Sequence, residues 1–147
     1  MWLVEVPTSS TPSWSKQTLL NSSSPFGSCR ELEKVIILPG ADEIGDNVFS
    51  GCDHLSAADL PEGLVSIGRA AFSGTALRRI ELPESLRRLG DMAFWGCKEL
   101  REVVIPSPET APGEDVFLFM QDFTVVTPEG GAAWTYCREN RISVTGK

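Results

Sequence analysis

The chain repeats a block of 22 or 23 residues, and this period constrains its fold more than any other feature. Three consecutive blocks read CRELEKVIILPGADEIGDNVFSG from Cys29, CDHLSAADLPEGLVSIGRAAFSG from Cys52 and TALRRIELPESLRRLGDMAFWG from Thr75, and a fourth opens as CKELREVVIP at Cys97. A block of this length cannot bury its own apolar residues, so successive blocks must stack. The period predicts a solenoid, and a solenoid directs the question of function toward binding.

Each block contains a strand followed by a turn. In LRRIEL, Ile80 and Leu82 alternate with charged residues, which is the period of a strand with one buried face. The Leu-Pro pair that follows ends the ladder because proline lacks a backbone donor. The next segment is too short for an α-helix and predicts a short helical or 3₁₀ turn, in which Gly68 and Gly90 suit a tight turn or a left-handed residue. The inward positions are Leu64, Ile67, Ala71, Phe72, Leu77, Ile80 and Leu82.

The pattern continues more weakly to both ends. The segment MWLVEVP aligns with LRRIELP, so that Met1, Val4 and Val6 take the places of Leu77, Ile80 and Leu82. The Ser/Thr-rich stretch between Pro7 and Phe26, which contains Trp14, is interpreted as a surface loop. Downstream, Phe117 takes the Phe72 place, FTVVTP predicts a last, shortened strand, and EGGAAWTYCREN predicts a short helix. We therefore expect one domain, 1–147, with an irregular first coil (1–28), regular coils (29–106) and a degenerate last coil with a C-terminal cap (107–147).

The segments LPEGLVSIGRAAFSG and LPESLRRLGDMAFWGCKEL resemble the BspA-type (Treponema-type) leucine-rich repeat, which has the form LxxIxLPxxLxxIgxxAFxxCxxL. The match is specific over residues 29–106 and weaker on either side. The resemblance implies an α/β repeat fold, a leucine-rich-repeat solenoid with parallel strands on one face, short helical or 3₁₀ turns and a short C-terminal helix. It also implies an interaction protein, since most members are interaction proteins and some bacterial ones are surface adhesins. It brings no catalytic residues.

Charge and hydropathy limit the classes of partner. The net charge of −7 disfavours nucleic acid, because phosphate binding depends on a basic surface. The sequence contains no run of eighteen apolar residues, which is the pattern that would predict membrane insertion. Seven of the thirteen basic residues nevertheless lie within two coils, either as a patch for an acidic partner or as solvated charges that pair with nearby glutamates. These seven are Arg69, Arg78, Arg79, Arg87, Arg88, Lys98 and Arg101, and the glutamates are Glu81, Glu84, Glu99 and Glu102.

The localisation stays open between two alternatives. The start of the chain, MWLVEVPTSS, lacks the basic region and the apolar length of a secretory signal. The chain is then either intracellular, which buried reduced cysteines would suit, or a fragment or mature form of a cell-surface protein.

The cysteines are expected to be structural. Cys29, Cys52 and Cys97 occupy the same place in their coils, and Thr75 fills it in the third. A metal site fails on spacing, because there is no CxxC pair and the chain has a single histidine. A ladder of small buried side chains is favoured, with a disulfide between Cys29 and Cys52 as the alternative, because stacked coils bring equivalent positions to about 5 Å. Cys137 is expected to pack within the terminal helix.

The sequence contains no recognisable catalytic constellation. His54 follows Asp53, but no serine or cysteine nucleophile sits in an elbow motif, and a solvated turn residue is the better interpretation. The segment EGG at Glu129 lacks the glycine-rich pattern of a phosphate loop. We therefore expect no enzymatic activity, no cofactor and no small-molecule substrate.

The exposed face of the sheet is the candidate site. Its outward residues form one column of Leu3, Lys34, Ala57, Arg79 and Glu102, and a second of Glu5, Ile36, Asp59, Glu81 and Val104. A rigid surface of mixed apolar and charged character suits recognition of a protein or peptide, although the charges can also simply solubilise the sheet and pair across strands, as Asp59 and Arg79 are placed to do. The predicted partner-binding residues are Lys34, Ile36, Ala57, Asp59, Arg79, Glu81, Glu102 and Val104.

These observations predict a non-catalytic interaction module that binds a protein through the sheet face. Two alternatives remain. One is a structural subunit, or fragment of a larger assembly, that docks through the solenoid ends and the Ser/Thr-rich loop. The other is an extracellular, adhesin-type surface protein.

Overall fold

The computed structural model describes the backbone of residues 2–6 and 32–146, and the side chains of residues 32–146. In this part the chain forms short parallel strands and one α-helix near its C-terminal end. The elements are β1 (Trp2–Val6), β2 (Leu32–Ile37), β3 (Glu43–Ile44), β4 (Ala57–Asp59), β5 (Ser66–Ile67), β6 (Arg79–Glu81), β7 (Arg88–Leu89), β8 (Glu102–Val104), β9 (Ala111–Pro112), β10 (Thr124–Thr127), α1 (Ala132–Glu139) and β11 (Val144–Gly146).

The strands stack into parallel ladders on two sides of a solenoid. One side, the main sheet, consists of the ladders β1-β2-β4 and β6-β8-β10-β11, and the other consists of β3-β5-β7-β9. The predicted solenoid with parallel strands is confirmed. The second ladder was not predicted, because strands of two residues are too short to leave an alternating pattern in the sequence.

Strands at both ends of the described chain continue the main sheet. β1 pairs with β2 so that Val4 lies opposite Val35 and Val6 opposite Ile37, which confirms the alignment of the first strand. The predicted terminal helix is present as α1. FTVVTP forms β10, as predicted, but β10 is not the last strand, because β11 adds to its free edge. Met1, Trp14 and the Ser/Thr-rich stretch lie outside the described residues.

The core is a single apolar column that runs along the solenoid. Every predicted inward residue of the regular coils is at most 1% exposed. Phe72 stacks between Phe49 and Phe94, with ring centroids 5.3 and 5.7 Å apart. Phe117 extends the stack at 6.0 Å from Phe94 and occupies the place predicted for it. Each of these four coils thus contributes one aromatic ring to a continuous stack, and none of the four has a complete core by itself.

The turn before each phenylalanine repeats one backbone conformation. Asn47, Ala70, Met92 and Asp115 have positive φ angles of 59°, 53°, 57° and 53° at equivalent positions. The predicted short helical turn is a single hydrogen-bonded turn, as in the bond from Ser73 N to Ala70 O at 3.2 Å.

The glycines before this turn serve another purpose than left-handed backbone. Gly90 is absent from the positions with positive φ, and its backbone N donates to Ile67 O at 2.7 Å. A Cβ atom at Gly90 would lie 2.5 Å from the carbonyl carbon of Gly68, and one at Gly68 would lie 2.6 Å from that of Gly45. Of the two alternatives for Gly68 and Gly90, the left-handed residue is wrong and the tight turn is present, since Ala71 N donates to Gly68 O at 3.4 Å and Ala93 N donates to Gly90 O at 3.2 Å. Glycine is required because the backbones of successive coils touch there.

The described part of the chain contains no helix long and apolar enough to span a membrane.

Candidate functional site

The main sheet places the predicted binding residues in register. Lys34 lies opposite Ala57 and Ile36 opposite Asp59. On the other ladder, Arg79 lies opposite Glu102, and Glu81 lies opposite Val104. Both columns continue one strand further, to Thr124 and Val126 of β10, which the sequence analysis did not include.

The main sheet is interrupted between β4 and β6. These strands are neighbours along the solenoid but belong to separate hydrogen-bonded ladders. β4 has the small Ala58 where the register places Val35 in β2. A groove of about 350 Å³ lies at the interruption, lined by Ala57, Ala58, Asp59, Leu60, Glu62, Arg79, Glu81, Leu82 and Pro83. Four of the eight predicted binding residues therefore line one concave surface: Ala57, Asp59, Arg79 and Glu81.

Ion pairs flank the groove without crossing it. Lys34 Nζ lies 3.5 Å from Asp59 Oδ2 on one side. On the other, Arg79 contacts Glu102 at 2.6 Å and Glu81 at 3.4 Å. The hydrogen bond to Glu102 raises the pKa of Arg79 above its usual value. The pair between Asp59 and Arg79 that the sequence allowed as an alternative is not formed, because each residue pairs within its own ladder.

Two apolar members of the predicted site are less accessible than expected. Val104 is only 5% exposed, and Ile36 is half-buried. Val104 lies between Glu81 and Val126 of its two neighbouring strands in the register of the sheet. The prediction that Val104 forms part of the exposed surface is therefore wrong.

The basic residues of the middle coils divide between the two interpretations. Arg79 pairs with Glu81 and Glu102, as one of them expected. Arg87 pairs instead with Glu109 at 2.9 Å. In residues 32–146 no side-chain ion pair is formed by Arg69, Arg78, Arg88 or Lys98, so these cations stand on the surface without a described counter-charge.

The cysteine positions form a buried polar ladder. Cys52, Thr75 and Cys97 are all buried. Thr75 Oγ1 and Cys97 Sγ each donate to Phe72 O at 3.0 Å, and they lie 3.4 Å from each other. Burial raises the pKa of Cys97. The ladder is confirmed for these coils, while Cys29 and its proposed bridge lie outside the described residues. Residues 32–146 contain no cluster of three side chains able to hold a metal ion.

Because of Cys137, we expect the folded chain to become less stable at alkaline pH. Cys137 is fully buried in α1, and burial raises its pKa to about 11, against about 8.5 for an exposed thiol. Below about pH 8 the thiol is protonated in both states. As pH rises toward 11 the unfolded chain ionises first, and the folded chain loses up to about 3 kcal/mol. We expect the stability advantage of the wild type over Cys137→Ala, measured by urea unfolding, to shrink over this range. An advantage independent of pH would contradict the prediction.

His54 is exposed and lies on a turn, where its Nδ1 atom is 3.7 Å from Asp53 Oδ1. This placement agrees with a solvated turn residue.

A second surface, not predicted from the sequence, lies on the turn side of the coils. Trp95, Leu118 and Phe119 are 38%, 42% and 63% exposed, and the rings of Trp95 and Phe119 meet edge to face at 5.3 Å. Phe119 has φ +62° and occupies the place that glycine fills in the three preceding coils. The signal was present in the sequence, since Phe119 follows Phe117 by two residues as Gly96 follows Phe94.

Comparisons with known proteins agree with this architecture. A family model of the BspA type leucine rich repeat region matches residues 21–130 in six copies. The crystal structure of the T. pallidum leucine rich repeat protein TpLRR is similar, with a TM-score of 0.74, 26% identity, and coverage of 84% of this chain and 57% of that one. A leucine rich cell surface protein from Faecalibacterium prausnitzii aligns at 36% identity, with a TM-score of 0.55, over 57% of this chain and 24% of that chain. A search of curated proteins found no match.

A third similar structure is the pneumococcal vaccine antigen PcpA, which at 16% identity shares the fold alone. Its TM-score is 0.68, and the match covers 99% of this chain and 41% of PcpA. The chain thus spans less than two thirds of each of these three proteins. The six matched repeats cover most of the sequence and, from residue 32 onward, include the strands β2 to β10 and the phenylalanine stack described above. The chain belongs to the BspA-type leucine-rich repeat family.

Proposed function

We propose that this chain is a non-catalytic interaction module that binds a protein or peptide through the exposed face of its main sheet, centred on the groove between β4 and β6. Leucine-rich-repeat proteins generally mediate protein interactions or surface adhesion, and their fold is typically a non-catalytic scaffold. The observation that carries the proposal is the groove itself, because it gathers small side chains and fixed charges on one concave surface.

The groove has the properties of a recognition site. Its apolar part includes the half-buried Ala57 and Ala58, which leave room for a partner's side chain. Its charged walls are held in place by ion pairs, Asp59 by Lys34 and Arg79 by Glu102. Charges that are already oriented lose less conformational freedom on binding, and charges of both signs select a partner of complementary pattern.

An extracellular, adhesin-type role is a second candidate. The observation that favours it is the relative from F. prausnitzii, which is a leucine rich cell surface protein and aligns at 36% identity. Both candidates use the same kind of surface and differ in where the partner is found.

Reversing the charges of the groove tests the proposal. We expect Asp59→Lys combined with Arg79→Glu to weaken binding of a partner captured by the wild-type chain by at least about tenfold. The reason is that each reversed charge then faces a charge of the same sign on the partner. The measurement is capture and identification of the partner, followed by titration of the purified pair. Circular dichroism checks that the variant is folded.

Arg88→Glu is the matched control, because Arg88 lies in β7 on the opposite ladder and is exposed without a described ion pair. We expect it to leave the affinity unchanged. Equal affinity of the wild type and the double variant would reject the sheet face and favour a structural subunit that docks through its ends and loops.

A further inference from the structure

The exposed cluster of Trp95, Leu118 and Phe119 is separate from the groove of the main sheet. Each of these residues is more than a third exposed. Trp95 and Phe119 come from successive coils and support each other edge to face, so the cluster presents a preformed aromatic surface. Exposed aromatic residues that are fixed in position are typical anchors of protein recognition.

Phe119 has a backbone conformation that is unfavourable for a large residue. Glycine occupies the equivalent place in the three preceding coils. The equivalent Gly51, Gly74 and Gly96 have φ angles of 77°, 69° and 70°, and Phe119 has 62°. A bulky side chain disfavours this region. Because the Phe119 ring is 63% exposed, burial within the chain offsets little of that cost. Strain of this kind at an exposed side chain points to a contact with a partner.

Phe119 separates two hollows of different chemistry. The larger, of about 480 Å³, has Phe117, Leu118, Met120, Phe123 and Ile142 in its wall, with Asp115, Asp122, Tyr136, Asn140, Arg141 and Ser143 as its polar lining. This hollow is large enough for a leucine or phenylalanine side chain. The smaller, of about 320 Å³, is lined by Lys98, Arg101, Phe119, Gln121 and Asp122.

The smaller hollow has an excess of positive charge. Arg101 donates to the backbone oxygens of Lys98, Leu100 and Gln121 at 3.0, 3.5 and 3.2 Å, which fixes its guanidinium beside the hollow without a carboxylate partner. Lys98 is exposed and forms no ion pair within residues 32–146. Asp122 is the single carboxylate in the lining. The lining of the smaller hollow thus has two positive groups and one negative group, in a chain whose net charge is −7, and such an excess favours a negative group of a partner.

We propose that Trp95, Leu118 and Phe119, together with Lys98 and Arg101, form a second docking site for an acidic peptide segment in which an apolar side chain lies next to carboxylates. The apolar side chain enters the larger hollow against Phe119. The adjacent carboxylate is placed at Lys98 and Arg101, where it forms charge-assisted hydrogen bonds. The two hollows share Phe119 as a wall, so that neighbouring side chains of one peptide reach both.

The test uses a fluorescein-labelled peptide with the sequence Glu-Glu-Phe-Leu-Glu-Glu between Gly-Ser flanks, titrated with the whole chain and followed by fluorescence anisotropy. We expect saturable binding that weakens as salt is raised. A peptide with lysine in place of glutamate, and one with serine in place of Phe and Leu, should each bind at least about tenfold more weakly. Equal binding of the lysine peptide would overturn the proposal.

Two variants locate the binding on this surface. We expect Phe119→Gly and Lys98→Glu each to weaken binding of the acidic peptide by about tenfold or more. Phe119→Gly introduces the residue that the other coils have, so its melting temperature should be at least that of the wild type. Lost affinity then cannot be ascribed to unfolding. The matched control is Val65→Ser, which removes an exposed apolar side chain elsewhere on the solenoid, 43% exposed, and should bind normally.

Two further outcomes decide against the proposal. Full affinity of Phe119→Gly would place the peptide elsewhere. Self-association of the wild type, abolished by Phe119→Gly and accompanied by no peptide binding, would assign the surface to a second copy of the chain. The combined variant Asp59→Lys, Arg79→Glu should keep full affinity for the peptide, which separates this site from the groove of the main sheet.

Discussion

Phe72→Ala is expected to lower the free energy of unfolding by about 3–5 kcal/mol. The Phe72 ring is fully buried and is the contact between the rings of Phe49 and Phe94. Truncation removes the buried apolar surface and both stacking contacts, and it leaves a cavity between coils whose backbones are hydrogen-bonded to each other and cannot close over it. The measurement is urea unfolding, monitored by tryptophan fluorescence.

The expected loss is a large share of the total stability, since the free energy of unfolding of single domains is about 5–15 kcal/mol. Val65→Ala is the control, because Val65 is 43% exposed and its truncation should change stability by less than about 0.5 kcal/mol. If Phe72→Ala cost less than about 1 kcal/mol, neighbouring side chains would have to fill the space, and the stack would not be the element that joins the coils.

Gly90→Ala is expected to lower the free energy of unfolding by about 3 kcal/mol, the upper part of the range for overpacking. The added Cβ atom would lie 2.5 Å from the carbonyl carbon of Gly68 and 2.6 Å from the backbone N of Arg69. Both are backbone atoms, which have no alternative rotamer. Relief requires the two coils to separate, which lengthens the bond from Gly90 N to Ile67 O, now 2.7 Å. Thermal or urea unfolding measures the change.

The sign of this effect discriminates between explanations. Where a glycine has an ordinary conformation and open space around it, replacement by alanine raises the free energy of unfolding by about 0.4–1 kcal/mol, because the unfolded chain becomes less flexible. Gly96→Ala is the matched control, because nothing lies within 4 Å of its Cβ position and its φ is +70°, so it should cost about 1–2 kcal/mol from conformation alone. A neutral or stabilising Gly90→Ala would show that the coils do not pack closely at this point.

Much of the fold follows from the period of the sequence. Leu77, Ile80 and Leu82 predicted the buried face of the strand, and the inward place given to Phe72 and to its equivalent Phe117 predicted the burial of both rings. Both predictions held because a solenoid places equivalent residues of successive coils beside each other, so that one coil's pattern determines the neighbours of every coil. The columns of the candidate site were predictable in register for the same reason.

The character of the exposed surfaces depended on contacts between neighbouring strands and coils, which the repeat of the sequence does not specify. The interruption between β4 and β6 and the burial of Val104 depend on contacts between neighbouring strands, and the charged residues form pairs within their own ladder. The second aromatic surface depends on the backbone of a single residue, Phe119, in a coil whose sequence departs from the repeat.

The sequence by itself determined the solenoid, the register of its main strands and the residues of its core, because burial of apolar side chains at a fixed period admits one arrangement. The tertiary structure alone decided where the sheet opens into a groove, why Gly90 must lack a side chain and that the rings of Trp95 and Phe119 meet. These features depend on distances of a few ångströms between atoms of neighbouring coils, and the order of residues along one coil does not specify such distances.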